Sequence, residues 1–352
     1  MITRAVAAIG LCAAVACTGT YPAPKSATQP IANTGPKVGI AAAGLPYAII
    51  DARTGRAVDK ATFWAAIAKT RAVCVGEEHP NPHHHWVQLE VVEHEKTRPG
   101  LALGMEMVQR PFQGVLDDYA AGHIDAAALR SRVGWEDRWG YDYALYGPTI
   151  DAVVGAHGQL LALNAPKELT KKIAHHGLES LTPDEKTQVP ELDLQNAAHR
   201  AWFNALMEEM GGGAAHSGSA ASDPNAPHAT PEHAEGEGSA APPASDDMPT
   251  EDRIYTVQVV WDETMADTAA KWLKANPSGH LVILAGNGHC HDSGIVGRMK
   301  RRGITDVISV RSVIDDGQGS VAEILAKPMN DYVIVLAMPH DAQGTTASAS
   351  AF

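Results

Sequence analysis

Ala72-Val73-Cys74-Val75-Gly76-Glu77-Glu78-His79 and Leu281-Val282-Ile283-Leu284-Ala285-Gly286-Asn287-Gly288-His289 share one form, an apolar run followed by Gly-x-x-His. Each run has the length and branching of a buried strand. Two further runs, Leu101-Ala102-Leu103-Gly104-Met105 and Gln159-Leu160-Leu161-Ala162-Leu163, end in Glu106 and Asn164. Four strands therefore release a polar group at their carboxyl ends. In parallel α/β sheets the crevice outside those ends is where ligands bind, so the pattern predicts both a fold and the edge that carries its site.

Between the runs the chain reads as helix. Asp59 caps a helix from Lys60 to Lys69, and Asn81 and Pro82 start another that ends near Lys96. Tyr47 to Asp51 and Ala57-Val58 read as an opening hairpin, and Asp306 to Val310 and Asp331 to Met338 as closing strands. The alternation predicts an α/β fold, a single domain over 45–340 with a mostly parallel central sheet flanked by helices. One stretch interrupts it. Residues 211–249 contain no Val, Ile, Leu, Phe, Tyr or Trp and are dominated by Ala, Gly, Ser, Pro and acids, the composition of a disordered insertion. The helices around it are expected over Leu194 to Met210 and Glu251 to Lys274, and residues 341–352 as a disordered tail.

Residues 1–16 have one basic residue, Arg4, and an apolar run too short to span a bilayer, as in a signal peptide. The run ends in Ala14-Val15-Ala16-Cys17, which resembles the bacterial lipobox and makes Cys17 the expected lipidation site. Residues 17–44 then read as a flexible tether, and the expectation is an exported, membrane-anchored lipoprotein facing the periplasm or the cell surface. Only Cys74 and Cys290 remain in the body. They are expected as two buried thiols behaving as small apolar groups, with a disulfide as the alternative in an oxidising compartment. The net charge of −13, from 28 basic and 41 acidic residues, argues against nucleic-acid binding.

His79, Glu106 and His289 are of the types that ligate a divalent metal or move protons, and each stands at the end of a buried run, where a charge must face a cleft. They make one candidate set, catalytic or metal-binding. Of the consecutive His83, His84 and His85, only one or two can turn toward His79 on a helix; His83 reads as part of a solvated helix start, with reach into the site as the alternative. Residues 134–148 gather two of the seven Trp and three of the eight Tyr. That segment reads as a satellite core or as a wall for a flat ligand, with a tyrosine able to ligate ferric haem iron.

Taken together, Val75-Gly76-Glu77-Glu78-His79, Gly104-Met105-Glu106-Met107 with Arg110 and Gln113, Trp139, Tyr146-x-Pro148, Leu163-Asn164-Ala165-Pro166 and Ala285-Gly286-Asn287-Gly288-His289 resemble the ChaN-like haem-binding uptake lipoproteins of the Tiki superfamily. The resemblance implies haem as cofactor, a role in iron acquisition, and a homodimer holding stacked haems through a tyrosine and a histidine. Carried over residue by residue, it places Tyr146, His79, His289, Glu77, Glu78, Asn164 and Arg110 around the haem, with Tyr141 and Tyr143 close enough to share the ligand role. The wider superfamily implies an alternative, a metal-dependent hydrolase of amides or esters built on His79, Glu106 and His289 with a divalent metal ion.

Overall fold

The computed structural model describes residues 39–212 and 249–338. The expected signal peptide, Cys17, most of the tether, nearly all of the insertion and the tail lie outside these residues. The last residues of the expected tether lie inside them and are packed: Ile40 and Ala43 are buried, and Gly44 sits where a side chain would strike the Trp86 ring.

Eight strands form one sheet: β1 (Tyr47–Asp51), β2 (Arg56–Val58), β3 (Ala72–Glu77), β4 (Leu101–Gln109), β5 (Gln159–Asn164), β6 (His280–Gly286), β7 (Val307–Asp315) and β8 (Tyr332–Ala337). Their order is β2-β1-β8-β7-β3-β6-β4-β5. The run from β8 to β5 is parallel throughout, and only the β1–β2 hairpin is antiparallel, with β1 paired to β8. The four strands singled out in the sequence are thus neighbours, β3-β6-β4-β5. β4 runs three residues past Glu106, and its pairing with β5 slips between Met105 and Gln109. β7 likewise extends to Asp315 rather than stopping at Val310.

Alternation along each strand feeds two cores. Val73, Val75, Leu103, Met105, Val282 and Leu284 face one side, where they meet Val87, Val91 and Val92 of helix Pro82–Glu95 and Ile150 and Val153 of helix Gly147–Gly155. Ala72, Cys74, Ala102, Leu281, Ile283 and Ala285 face the other, against Met265, Ala266, Ala269 and Leu273 of helix Glu251–Ala275 and Ile295, Val296 and Met299 of helix Ile295–Arg301. Burying both faces of a strand removes the polar stripe that an edge-exposed sheet would show, which is why these runs are continuously apolar.

Cys74 and Cys290 form a disulfide, with Cα atoms 5.4 Å apart. This corrects the expectation of two free thiols. Cys74 lies on β3 and Cys290 directly after the second histidine motif, and the adjacent parallel pairing of β3 with β6 brings them within bonding distance.

Candidate ligand-binding crevice

The crevice has two halves, one on each side of the sheet edge. On the first, Glu77 is in phase with Val73 and Val75 and turns inward, 2% exposed. Its Oε1 accepts hydrogen bonds from Tyr146 Oη and His79 Nδ1, both at 2.8 Å. Its Oε2 lies 3.1 Å from His85 Nδ1, and His85 Nε2 donates to the His79 carbonyl at 2.9 Å. Burial alone pushes the Glu77 carboxyl up, but the His85 charge and the His79 and Tyr146 hydrogen bonds outweigh it and hold it below the ordinary range. Tyr146 moves the other way: burial, then the adjacent Glu77 charge, raise its phenol well above its usual value.

The second half is built on Glu106 and His289. Glu106 Oε2 accepts from the Gly286 amide at 2.7 Å, and Oε1 lies 3.2 Å from His289 Nε2. His289 Nδ1 is 2.7 Å from Asp262 Oδ1, so the ring stands between two carboxylates. Burial pulls the imidazole down, yet Glu106 and Asp262 together raise it well above its ordinary value, and it is held as the cation. Glu106 and Asp262 are correspondingly lowered against their own burial by the His289 charge. Asn164 serves this half from behind, its Nδ2 donating to the Glu106 carbonyl at 2.9 Å.

Gly286 lets the halves meet. A Cβ at this position would lie 3.0 Å from His79 Cε1 and 3.8 Å from Glu106 Oε2, so the missing side chain is what seats the His79 ring beside Glu106. The His79 ring also packs edge-on to Trp139, with centroids 4.7 Å apart, and tilted against Tyr141 at 4.9 Å. The aromatic segment is both of the things its sequence allows. Trp135, Trp139 and Tyr146 are buried in the main core, while Tyr141 and Tyr143 are half-buried at its rim. Trp135 Nε1 donates to the Tyr141 carbonyl at 2.7 Å and fixes the rim to the core.

His79, Glu106, His289, Glu77 and Asn164 are therefore brought together. Two expected residues stand elsewhere. Glu78 is exposed and turned to Asn81 Nδ2 at 3.4 Å, because it lies one residue beyond the end of β3. Arg110 donates to the Gln188 carbonyl. Tyr146 belongs to the cluster and lies at its buried back, its hydroxyl committed to Glu77. His83, too, points away, to the Ala43 carbonyl, and His85 is the member of the triplet that reaches the cluster. His84 accepts from the Glu78 amide, and burial lowers its pKa to about 3, so it acts as a neutral cap.

The metal assignment of His79, Glu106 and His289 does not match the donor geometry. Both nitrogens of His289 face carboxylates, and one Glu106 oxygen holds the Gly286 amide. Among the described residues no three His, Cys, Asp or Glu side chains converge as metal ligands. For haem, by contrast, the half-buried Tyr141 phenol and the His79 imidazole supply the two ligand types that ferric haem accepts, beside a wall of indole.

Two residues of the site escape the sequence patterns altogether. Asp262 and His199 are both fully buried, with Asp262 Oδ2 3.0 Å from His199 Nε2. The signal for Asp262 is an acid, next to the equally buried Glu263, in phase with the apolar stripe Val259, Ala266, Ala269 and Leu273 of its helix.

The family model for haem-binding uptake proteins of the Tiki superfamily, ChaN, matches residues 63–299. The chain belongs to this family. Among solved structures it is similar to ChaN of Campylobacter jejuni, described with cofacial haem binding, at TM-score 0.56 and 15% identity over 82% of this chain and 96% of that one. That likeness shows the fold. More remote likenesses are an erythromycin esterase mutant in its open conformation (TM-score 0.39, 14% identity, 80% of this chain and 81% of that one) and the type III effector HopBA1 (0.37, 14%, 78% and 91%). No curated protein sequence matches the chain.

Proposed function

We propose that this protein binds haem at the Tyr141–His79 rim of the crevice. The observation that carries the reading is the family match over the segment that builds the whole crevice, with a phenol and an imidazole facing each other at its partly open end. Haem, when bound, supplies an iron whose axial ligands the protein chooses. Tyr141 would hold the iron from the rim, and Glu77 keeps His79 in one orientation through Nδ1. Haemin titration should give a saturable ferric Soret band that Tyr141→Phe shifts or abolishes. Absence of saturable binding by the wild type removes the proposal.

The cellular setting is proposed with it: export, a lipid anchor on Cys17, service in haem or iron uptake, and pairing of two copies. Support for export comes from the Cys74–Cys290 disulfide, which persists only in an oxidising compartment. Metabolic labelling with palmitate that survives in Cys17→Ser would remove the anchor. A mass unchanged by haemin in light scattering would remove the ligand-linked dimer.

A second reading is favoured by one contact. A histidine held by a buried carboxylate, as His79 is by Glu77 at 2.8 Å, is the pair a general base needs. If it serves hydrolysis, His79→Ala abolishes turnover of aryl esters. No turnover by the wild type excludes it for that substrate class.

A further inference from the structure

One cation at the carboxyl edge has no partner among the described residues. Arg311 lies on β7 opposite Gly76 of β3, one strand beyond the crevice, and is half-buried. No hydrogen bond or ion pair reaches its guanidinium from the described residues, and its Nε is buried without a partner. Glu78 and Glu209 act on it only through their charge, and Glu78 is turned to Asn81. A buried donor left unmade is costly, so the site is built for something the described residues do not supply.

A second orphan faces the same gap. Asn287, from the turn after β6, folds its side chain over Gly76, its Oδ1 buried and without a partner. A Cβ on Gly76 would lie 2.4 Å from that oxygen. β7, β3 and β6 thus present, side by side, a guanidinium, a glycine without a side chain and the carboxamide that lies over it. A planar fork of N–H donors beside an amide matches a carboxylate, which takes paired donors from arginine.

We propose that Arg311 and the Asn287 amide bind a carboxylate of the ligand, which on the haem reading above is a propionate. The Asn287 amide donates through Nδ2 once its carboxamide turns over, the nitrogen taking the place over Gly76 that the oxygen now holds.

The test compares haemin with its dimethyl ester, which keeps the iron and ring but has no free carboxylate. Soret titrations and melting curves are run with each compound on wild type, Arg311→Gln, Arg311→Lys and Asn287→Asp. Wild type should bind haemin about tenfold more tightly than the ester, Arg311→Gln should bind both with the ester's affinity, and Arg311→Lys should keep part of the preference. Asn287→Asp, which retains size and adds a repelling charge, should weaken haemin and spare the ester, and it carries the test if Arg311→Gln fails to fold. Equal affinities in the wild type, or a preference unchanged in the variants, overturn the assignment and leave haem binding standing. No saturable haemin binding by the wild type overturns both.

Discussion

Tyr146 donates its hydroxyl hydrogen bond to Glu77 Oε1 at 2.8 Å, and the same oxygen accepts from His79 Nδ1 at 2.8 Å. One buried carboxylate therefore joins the back of the aromatic segment to the histidine at its front. Tyr146→Phe should destabilise the fold by about 1.5–3 kcal/mol, the range for a hydrogen bond to a charged group, and leave the haemin Soret band in place. Urea denaturation and haemin titration of the same variant read the two halves of this expectation. A variant of unchanged stability that loses the Soret band would put Tyr146 on the iron.

The His289 imidazolium makes stability depend on pH in a stated direction. Its folded pKa is raised above 6.5, so its contribution is complete below that value and is lost as pH climbs toward the raised pKa. The loss is about 1.4 kcal/mol per pH unit across that window. Glu77, Glu106 and Asp262 are lowered, so their contribution is present above the unfolded carboxyl pKa and disappears on acidification. Denaturation midpoints should peak on the mildly acidic side, and His289→Gln should flatten the alkaline limb. An alkaline limb identical in His289→Gln and wild type would show that another group sets it.

Gly286→Ala should push the His79 ring off Glu106, since the new methyl would sit 3.0 Å from His79 Cε1. The expected penalty is about 1–3 kcal/mol from overpacking, with a changed Soret position or affinity. NMR of the His79 ring before haemin is added reports the displacement directly.

Reducing the Cys74–Cys290 bond should lower stability by about 2–5 kcal/mol, because it closes a long loop, 216 residues in sequence. Melting with and without reductant measures this, and Cys74→Ser with Cys290→Ser should match the reduced wild type. An unchanged melting temperature would mean that β3 and the His289 turn are held by packing alone.

The architecture was legible because buried parallel strands leave continuous apolar runs, and Glu106, Asn164 and the two histidines mark where those runs stop. Their contiguity as β3-β6-β4-β5 was implied only by a shared logic, and pairing supplied it. The choice between Glu77 and Glu78, and between His83 and His85, was available from phase: Glu77 continues the Val73–Val75 face, and His85 lies on the face of Gln88 and Val92. Asp262 was harder, since an acid in a long helix ordinarily marks its solvated side. The disulfide was open because thiols on separate strands pair only when the sheet order makes those strands adjacent.

The disulfide has a topological consequence for any protease that meets this chain. Residues 213–248, poor in large apolar groups and rich in Gly, Ser and Pro, lie between Cys74 and Cys290 in sequence. A cut there places His79 and His289 on different fragments that still migrate as one species on a non-reducing gel. The two histidine motifs thus stay covalently linked after the backbone between them is severed.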